Sequence, residues 1–223
     1  MFEIAVANDS EDIVFYVAVP NEFTSLFEKQ TLSLFPQAEL TVQPHDYNVY
    51  MDGGVTQVVE LTLAKHPIYP IKSAAEFAAD PLEVLLNAFS KIGRAEGAAV
   101  QFAVRHPQGA YLPTYKDIIK QVEKGVKPQD AIARSTTGGA IMAEVGSLFF
   151  GGAKKSDDEQ LPDIDTNTIE LFRQKTAKDI VEVTVRLVVS AVDKGRVHSL
   201  LEEIKSAFLQ FDTVHSNSSN SQC

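Results

Sequence analysis

Hydrophobic and polar residues alternate at the start of the chain, in "FEIAVANDSEDIVFYVAV" (residues 2–19). Two runs rich in β-branched and aromatic residues flank the polar segment NDSED, which is the pattern of a β-hairpin. Pro20 ends the second run. The first twenty residues therefore predict two strands joined by a turn.

Helical spacing replaces the alternation in residues 21–35. Asn21 is a candidate N-cap, and the apolar residues that recur near helical spacing are Phe23, Leu26, Phe27 and Leu34. Pro36 ends this predicted amphipathic helix, and "AELTVQ" (38–43) predicts another strand. The block 2–43 thus has the predicted order β-β-α-β.

The same kinds of element recur after the Gly53–Gly54 turn. Residues 55–64 alternate as a strand, and a helix follows in which Asp80 is the N-cap and Pro81 occupies the first turn. "GAAVQFAVRHP" (97–107) predicts a further strand, which Pro107 ends.

A region of different character extends from residue 108 to about 178. It contains two predicted helices, "TYKDIIKQVEKG" and "KPQDAIARS", then a glycine-rich and acidic stretch, and then the predicted helix "TNTIELFRQKTAK". We interpret this region as an insertion or linker. After it, "IVEVTVRLVVSA" predicts a long strand and residues 194–208 a helix.

The last strand and helix repeat the order of residues 13–40, which indicates two β-α-β halves. We therefore predict an α+β protein with tandem ferredoxin-like domains (β-α-β repeats) and antiparallel sheets. The predicted units are an incomplete first repeat at 1–52, a second domain at 53–212 with the insertion at about 108–178, and a polar disordered tail at 213–223.

Composition and charge limit the possible partners. The chain has 223 residues, 44% of them hydrophobic, and a formal net charge of −10, which disfavours a surface for phosphate groups and direct nucleic-acid binding. The only cysteine is Cys223, so an internal disulfide is excluded. Residues 1–15 lack the basic and continuously apolar parts of a secretory signal, and we expect a cytoplasmic location.

"GSLFFGGAK" (146–154) resembles a phosphate-binding loop only superficially. Gly152 occupies the position of the required lysine, Ala153 that of the hydroxyl residue, and Lys154 comes two positions late. We predict an apolar loop there and no nucleotide site.

Other candidate residues favour structural or solvated roles. His66 and His106 each follow a predicted strand. We expect these two strands to run antiparallel, which places the histidines at opposite ends of the sheet, too far apart to share a metal ion. We interpret His198 with Glu202 as a solvated pair. His45 and Asp46 precede a turn. The remaining candidates are acidic and basic residues that we assign to solvated loops: Asp157 to Glu159, Asp163, Asp165, Lys91, Arg94, Lys154 and Lys155.

No GxSxG nucleophile motif is present, and Cys223 lies in a Ser/Asn-rich tail. We therefore predict no catalytic, cofactor-binding or metal-binding residues. An RNA-binding sheet would need exposed aromatic residues on its central strands, for which the sequence offers Phe102.

Three segments resemble one protein family. They are "FYVAVPNEFTSLFEKQTLSLFPQAEL", "YPIKSAAEFAADPLEVLLNAFSKIGRAEGAAVQFAVRHP" and "TIELFRQKTAKDIVEVTVRLVVSAVDKGRVHSLLEEIKSAFLQFD". Together they are similar to the region preceding the motor in the coupling-protein ATPases of bacterial conjugative DNA transfer and type IV secretion. They are spread over most of the chain and are patterns of fold, without catalytic residues to carry over. In that family the ATPase activity belongs to a motor domain with Walker motifs, which these residues do not contain.

The resemblance implies a non-catalytic assembly or docking module of such a machine. Its expected partners are proteins, either further copies of itself or components of the secretion channel. Through these partners we expect it to lie at the cytoplasmic face of the membrane. The alternative is a small ligand-binding protein or enzyme built on tandem ferredoxin-like domains.

Overall fold

The computed structural model describes residues 1–43, 45–107, 109, 111–136, 165–211 and 219–222. The strands are β1 Phe2–Val6, β2 Ile13–Val17, β3 Val55–Leu63, β4 Gly97–Arg105, β5 Glu182–Ala191 and β6 Ser219–Gln222. The α-helices of the described residues are α1 Thr24–Leu34, α2 Pro81–Phe89, α3 Tyr111–Glu123, α4 Pro128–Thr136, α5 Thr166–Thr176 and α6 Lys194–Phe208.

The six strands form one open sheet in the order β2-β1-β4-β5-β3-β6, and every neighbouring pair is antiparallel. The predicted α+β class with an antiparallel sheet is therefore confirmed. The predicted tandem ferredoxin-like arrangement is not confirmed, because β1 from the first predicted unit hydrogen-bonds to β4 from the second within the same sheet.

Two β-α-β connections are interleaved in this sheet. Strands β3 and β4, joined through α2, both run antiparallel to β5, which lies between them. Strands β5 and β6, joined through α6, flank β3 in the same way. The order β3-α2-β4-β5-α6-β6 is the split β-α-β order of ferredoxin-like domains, and the β1–β2 hairpin extends its sheet at β4.

Helices α2 and α6 cover one face of the sheet, which we call the helix face. Each begins at an aspartate whose side chain caps the first turn, Asp80 for α2 and Asp193 for α6. Their apolar sides pack on the strands to form the main core, whose largest fully buried members include Phe89, Leu187, Leu200, Leu201 and Ile204. Burial of these side chains is the main force that holds the helices to the sheet.

Helices α3, α4 and α5 lie in the predicted insertion and form a second apolar core. Phe172 of α5 and Ile118 of α3 are fully buried there, together with Ile68, which follows β3. Tyr69 packs edge-on against Phe172 with ring centroids 4.9 Å apart. The insertion therefore packs against the segment that follows β3.

The structure corrects two predicted elements. Residues 38–43, predicted as a strand, form none: Leu40 and Val42 are exposed, and none of the described strands pairs with this segment. Residues 219–222, predicted as part of a disordered tail, form β6 at one edge of the sheet, paired antiparallel with β3. Strand β6 has the polar sequence SNSQ, so alternation could not indicate it.

No helix among the described residues has the length and the apolar sequence that a membrane-spanning helix requires.

Candidate docking surface

Helix α1 exposes apolar side chains along its whole length. The α1 stripe consists of Phe23, Leu26, Phe27 and Leu34, which recur at helical spacing. None of the eleven residues of α1 is buried, and Leu34 is 72% exposed. An amphipathic helix ordinarily covers its apolar side with a core. Here the apolar side of α1 is accessible to another surface.

Strand β2, which immediately precedes α1, forms an edge of the sheet. Its sequence, IVFYV, contains no charged residue. Natural edge strands are commonly protected by charges, prolines or short length. The opposite edge strand, β6, has only four residues, all of them polar. The two edges of this sheet therefore differ in polarity, and β2 is the apolar one.

An apolar patch lies on the helix face beside this edge. The edge patch consists of Phe2 and Phe15, which are 47% and 56% exposed. Phe15 is the cross-strand neighbour of Ile4, and Phe2 is that of Phe102; Ile4 and Phe102 contribute to the main core. Residues opposite one another in an antiparallel pair share a face, so the edge patch extends the core surface beyond the two covering helices.

An open apolar cleft of about 260 Å³ adjoins the edge patch. Its lining residues are Ile4, Pro81, Leu82, Leu85, Phe102, Ala207, Phe208, Gln210 and Phe211. The polar side chain among them, Gln210, donates hydrogen bonds from Nε2 to the Pro81 and Ala207 carbonyl oxygens at 3.0 and 2.7 Å. No ionisable side chain belongs to this lining, so the cleft is suited to apolar groups.

The opposite face of the sheet, which we call the open face, carries a buried carboxylate. Glu3 of β1 is only 7% exposed. Its Oε1 accepts a hydrogen bond from Gln101 Nε2 at 3.1 Å, and its Oε2 accepts one from the Tyr47 hydroxyl. Tyr47 also stacks on Tyr16 of β2, with ring centroids 4.1 Å apart and an interplanar angle of 10°. Burial raises the pKa of Tyr47 far above its usual value of 10.0, and the adjacent Glu3 carboxylate raises it further.

Residues 47–51 therefore cover part of the open face. Val49 is buried against Ala5, Ala99 and Val188. The Met51 amide donates to Ser190 Oγ at 2.9 Å, and the Asn8 amide donates to the Asn48 carbonyl at 2.8 Å. These contacts favour a structural role for Glu3 and Tyr47: they hold the segment between α1 and β3 against the open face of the sheet.

The sequence did not single out Glu3 or Tyr47. The available signal was an acidic residue inside the apolar run FEIAV. Its partner Tyr47 is 44 residues away, and spacing along the chain does not relate the two.

The two strand-ending histidines lie at the same end of the sheet, contrary to the prediction. They follow β3 and β4, which run parallel to each other on either side of β5. The His66 ring lies 5.9 Å from that of Tyr115 and its Nδ1 accepts from the Ile68 amide at 3.3 Å, whereas His106 is exposed. Burial lowers the pKa of His66 below 6.5. Among the residues that the structure describes, no cluster of three His, Cys, Asp or Glu is placed to hold a metal ion.

Helix α6 carries the predicted pair His198 and Glu202 at the protein surface. His198 is exposed, and Glu202 accepts from Lys205 Nζ at 2.9 Å. Lys91 Nζ lies 3.5 Å from Glu203 Oε2. Asp165, which was assigned to a solvated loop, is instead the N-cap of α5 and accepts from the Thr168 amide at 2.9 Å.

Two further candidate residues, Arg94 and Asp46, make local hydrogen bonds. The Arg94 carbonyl accepts from the Asp9 amide at 2.8 Å. Asp46 Oδ1 accepts from the Tyr47 amide at 3.0 Å, and His45 is exposed. The segment 146–154, the acidic residues 157–159 and 163, Lys155 and Cys223 lie outside the described residues.

Phe102 faces the apolar cleft on the helix face. The aromatic residues of the open face, Tyr16 and Tyr47, stack on each other. The arrangement expected of an RNA-binding sheet, with Phe102 exposed for base stacking, is therefore not formed.

Comparison with known proteins gives no relative: no family model, no curated protein and no solved structure matches this chain.

Proposed function

We propose that this chain is a non-catalytic docking module of a conjugative DNA-transfer or type IV secretion ATPase, acting at the cytoplasmic face of the membrane. The observation that carries the docking role is α1, a helix with an apolar stripe and no buried residue. The assignment to a secretion machine rests on the resemblance of the three segments described above.

Exposed apolar area of this kind marks protein contact surfaces. Burying a leucine or phenylalanine side chain stabilises an association by roughly 1.5–3 kcal/mol. Strand β2 carries Phe15 of the edge patch and is followed closely by α1, so one partner can reach all three. The net charge of −10 supports a protein partner over a nucleic acid.

The apolar cleft favours a second candidate, a binding protein for a small apolar ligand. Its volume of about 260 Å³ is just below the roughly 300–1,000 Å³ that ligand sites occupy, so the ligand would have to be small. An enzyme site would bring ionisable groups together in a cleft, and the lining residues here offer none.

The test uses the motor domain encoded in the same or an adjacent reading frame, purified separately. We expect the chain to bind it, and we expect Leu26→Glu and Leu34→Glu each to weaken binding by about tenfold or more, because each places a charge in the apolar contact. Leu112→Glu is the control, since Leu112 is an exposed leucine on α3. Binding is measured by calorimetry and folding by circular dichroism.

Absence of binding, or equal loss in all three variants, would contradict the docking role. Filling the cleft with Ala207→Phe tests the second candidate, which requires that wild type bind a fluorescent apolar probe and that this variant release it.

A further inference from the structure

We infer that the surface formed by α1, β2 and the edge patch takes a second copy of this chain. In this dimer the β2 strands pair antiparallel across a twofold axis, and α1 of each copy covers the edge patch of the other. The inference rests on the proposed function only in taking α1 as the docking element, and it specifies the partner.

The number of helices on the helix face is the first argument. A helix is about 10 Å wide and neighbouring strands are about 4.8 Å apart, so one helix covers about two strands. Two helices, α2 and α6, therefore cover about four of the six strands. Ile4 and Val6 of β1 are buried in the main core, whereas the edge strand β2 and the start of β1 leave Phe15 and Phe2 exposed. Helix α1 has the matching apolar stripe and no core of its own.

The connection between β2 and α1 supports a partner copy over the chain's own sheet. The β1–β2 pairing continues to Ala18, whose amide donates to the Met1 carbonyl at 2.9 Å. Only Val19 and Pro20 then precede the 3-10 turn Asn21–Phe23 that leads into α1. Pro20 has a φ of −56°, which its ring restricts. Because this connection is short and its φ is restricted at Pro20, α1 stays at a position where the chain's own sheet does not cover the α1 stripe.

The uncharged edge of β2 supports self-pairing. An antiparallel ladder about a twofold axis is self-complementary, because each strand offers the same groups to the other. With Phe15 at the centre of the five-residue strand, Ile13 of one copy faces Val17 of the other, and the two Phe15 side chains are cross-strand neighbours. No charge in IVFYV opposes this pairing.

The area is sufficient for a specific dimer. Phe2, Phe15, Phe23, Leu26 and Leu34 are each about half exposed or more, which corresponds to on the order of 100 Å² of accessible side-chain surface apiece. Two copies would together bury about 1,000 Å², the level that a specific interface should reach, before the ladder between the β2 strands is counted. Since each copy has a net charge of −10, added salt should strengthen the association by screening repulsion.

Sedimentation velocity of the full chain provides the test. We expect a species of twice the 24.4 kDa chain mass, more abundant at high salt. Phe15→Lys on β2 and Leu26→Glu on α1 should each raise the dimer dissociation constant by about tenfold or more, and Leu112→Glu should leave it unchanged. A monomer at 100 μM (about the weakest affinity of interest), or a dimer that neither substitution weakens, would overturn the inference.

Cross-linking tests the register without depending on a charged substitution. In a Cys223→Ser background, Phe15→Cys places two thiols opposite each other across the twofold axis, with Cα atoms about 4.5–5.5 Å apart, within the roughly 4.4–6.8 Å that a disulfide spans. We expect this variant to form a covalent dimer on mild oxidation. Leu209→Cys is the matched control, since Leu209 is similarly exposed but lies beyond α6. Equal cross-linking of both variants would overturn the proposed register.

The two proposals fail separately. If wild type is monomeric while Leu26→Glu still abolishes binding to the motor domain, the docking function stands and the dimer does not. If the dimer forms and neither wild type nor the dimer-weakened Phe15→Lys variant binds the motor domain, the dimer stands and the docking function does not.

Discussion

The hydroxyl group of Tyr47 donates a hydrogen bond to the buried carboxylate of Glu3, across 44 residues of sequence. This contact joins the segment that follows α1 to the first strand of the sheet. It holds the path of the chain over the open face.

The first prediction concerns the strength of this contact. Tyr47→Phe removes one donor from a buried carboxylate, which should lower the free energy of unfolding by about 1–3 kcal/mol. Urea unfolding at pH 7 measures the change. Tyr50→Phe is the control, because Tyr50 is exposed and the structure assigns its hydroxyl no hydrogen bond. Equal stability of the two variants would show that the contact is not significant.

The second prediction concerns alkaline pH. The pKa of Tyr47 is raised in the folded chain, so above pH 10 the unfolded chain releases a proton that the folded chain retains. The stabilisation from Tyr47 is therefore complete below pH 10 and is lost as the pH rises above it. We expect wild type to lose stability between pH 9 and 11 (a window set by the usual tyrosine pKa of about 10) more steeply than Tyr47→Phe. Identical slopes would contradict the raised pKa.

The third prediction concerns the ion pair between Arg196 and Glu96. Arg196 Nε lies 2.6 Å from Glu96 Oε1 and Nη2 lies 2.8 Å from Oε2, which ties the first turn of α6 to the loop before β4. Glu96→Gln should destabilise the chain by about 1–2 kcal/mol at pH 7, since the pair is bidentate but Arg196 is partly exposed. Glu202→Gln, which alters the exposed pair with Lys205, should change stability by less than about 0.5 kcal/mol.

The pH dependence of this pair has a definite sign. The hydrogen bond from Arg196 is the main cause that lowers the pKa of Glu96 below 4.5. The stabilisation is present above pH 4.5 and is lost as the pH falls through the lowered pKa. The difference between wild type and Glu96→Gln in urea unfolding should therefore diminish below pH 4. A difference that persists unchanged at pH 2 to 3 (about one to two units below the usual Glu pKa) would contradict an electrostatic origin.

Local sequence rules predicted the elements that depend on local chemistry. Asp80 and Pro81 set the start of α2, and the alternation of residues 55–64 and 97–107 indicated β3 and β4. The arrangement of strands depends on contacts between distant residues. The β1–β4 pairing joins residues about one hundred positions apart, and no local pattern selects it over two separate sheets.

The sequence predicted only part of the candidate docking surface, because the rest also depends on contacts between distant residues. Helical spacing correctly indicated α1, but exposure of its stripe follows from where the sheet lies. Residues 38–43 alternate like a strand and form none, since a strand needs a neighbour to satisfy its backbone groups. Strand β6 has no apolar alternation and exists through its pairing with β3.

The fourth prediction concerns the close approach of residues 47–51 to the sheet. A Cβ atom added at Gly97 would lie 2.1 Å from the Val49 carbonyl oxygen, which is backbone and cannot rotate away. Gly97→Ala should therefore displace the segment from the open face and lower the free energy of unfolding by about 1–3 kcal/mol. Limited proteolysis should cleave residues 36–51 faster in this variant than in wild type. Gly93→Ala is the control, since its added Cβ would meet only the Glu96 side chain at 3.4 Å. Equal cleavage in both variants would show that Gly97 does not hold the segment, and that Tyr47 and its hydrogen bond to Glu3 are sufficient to do so.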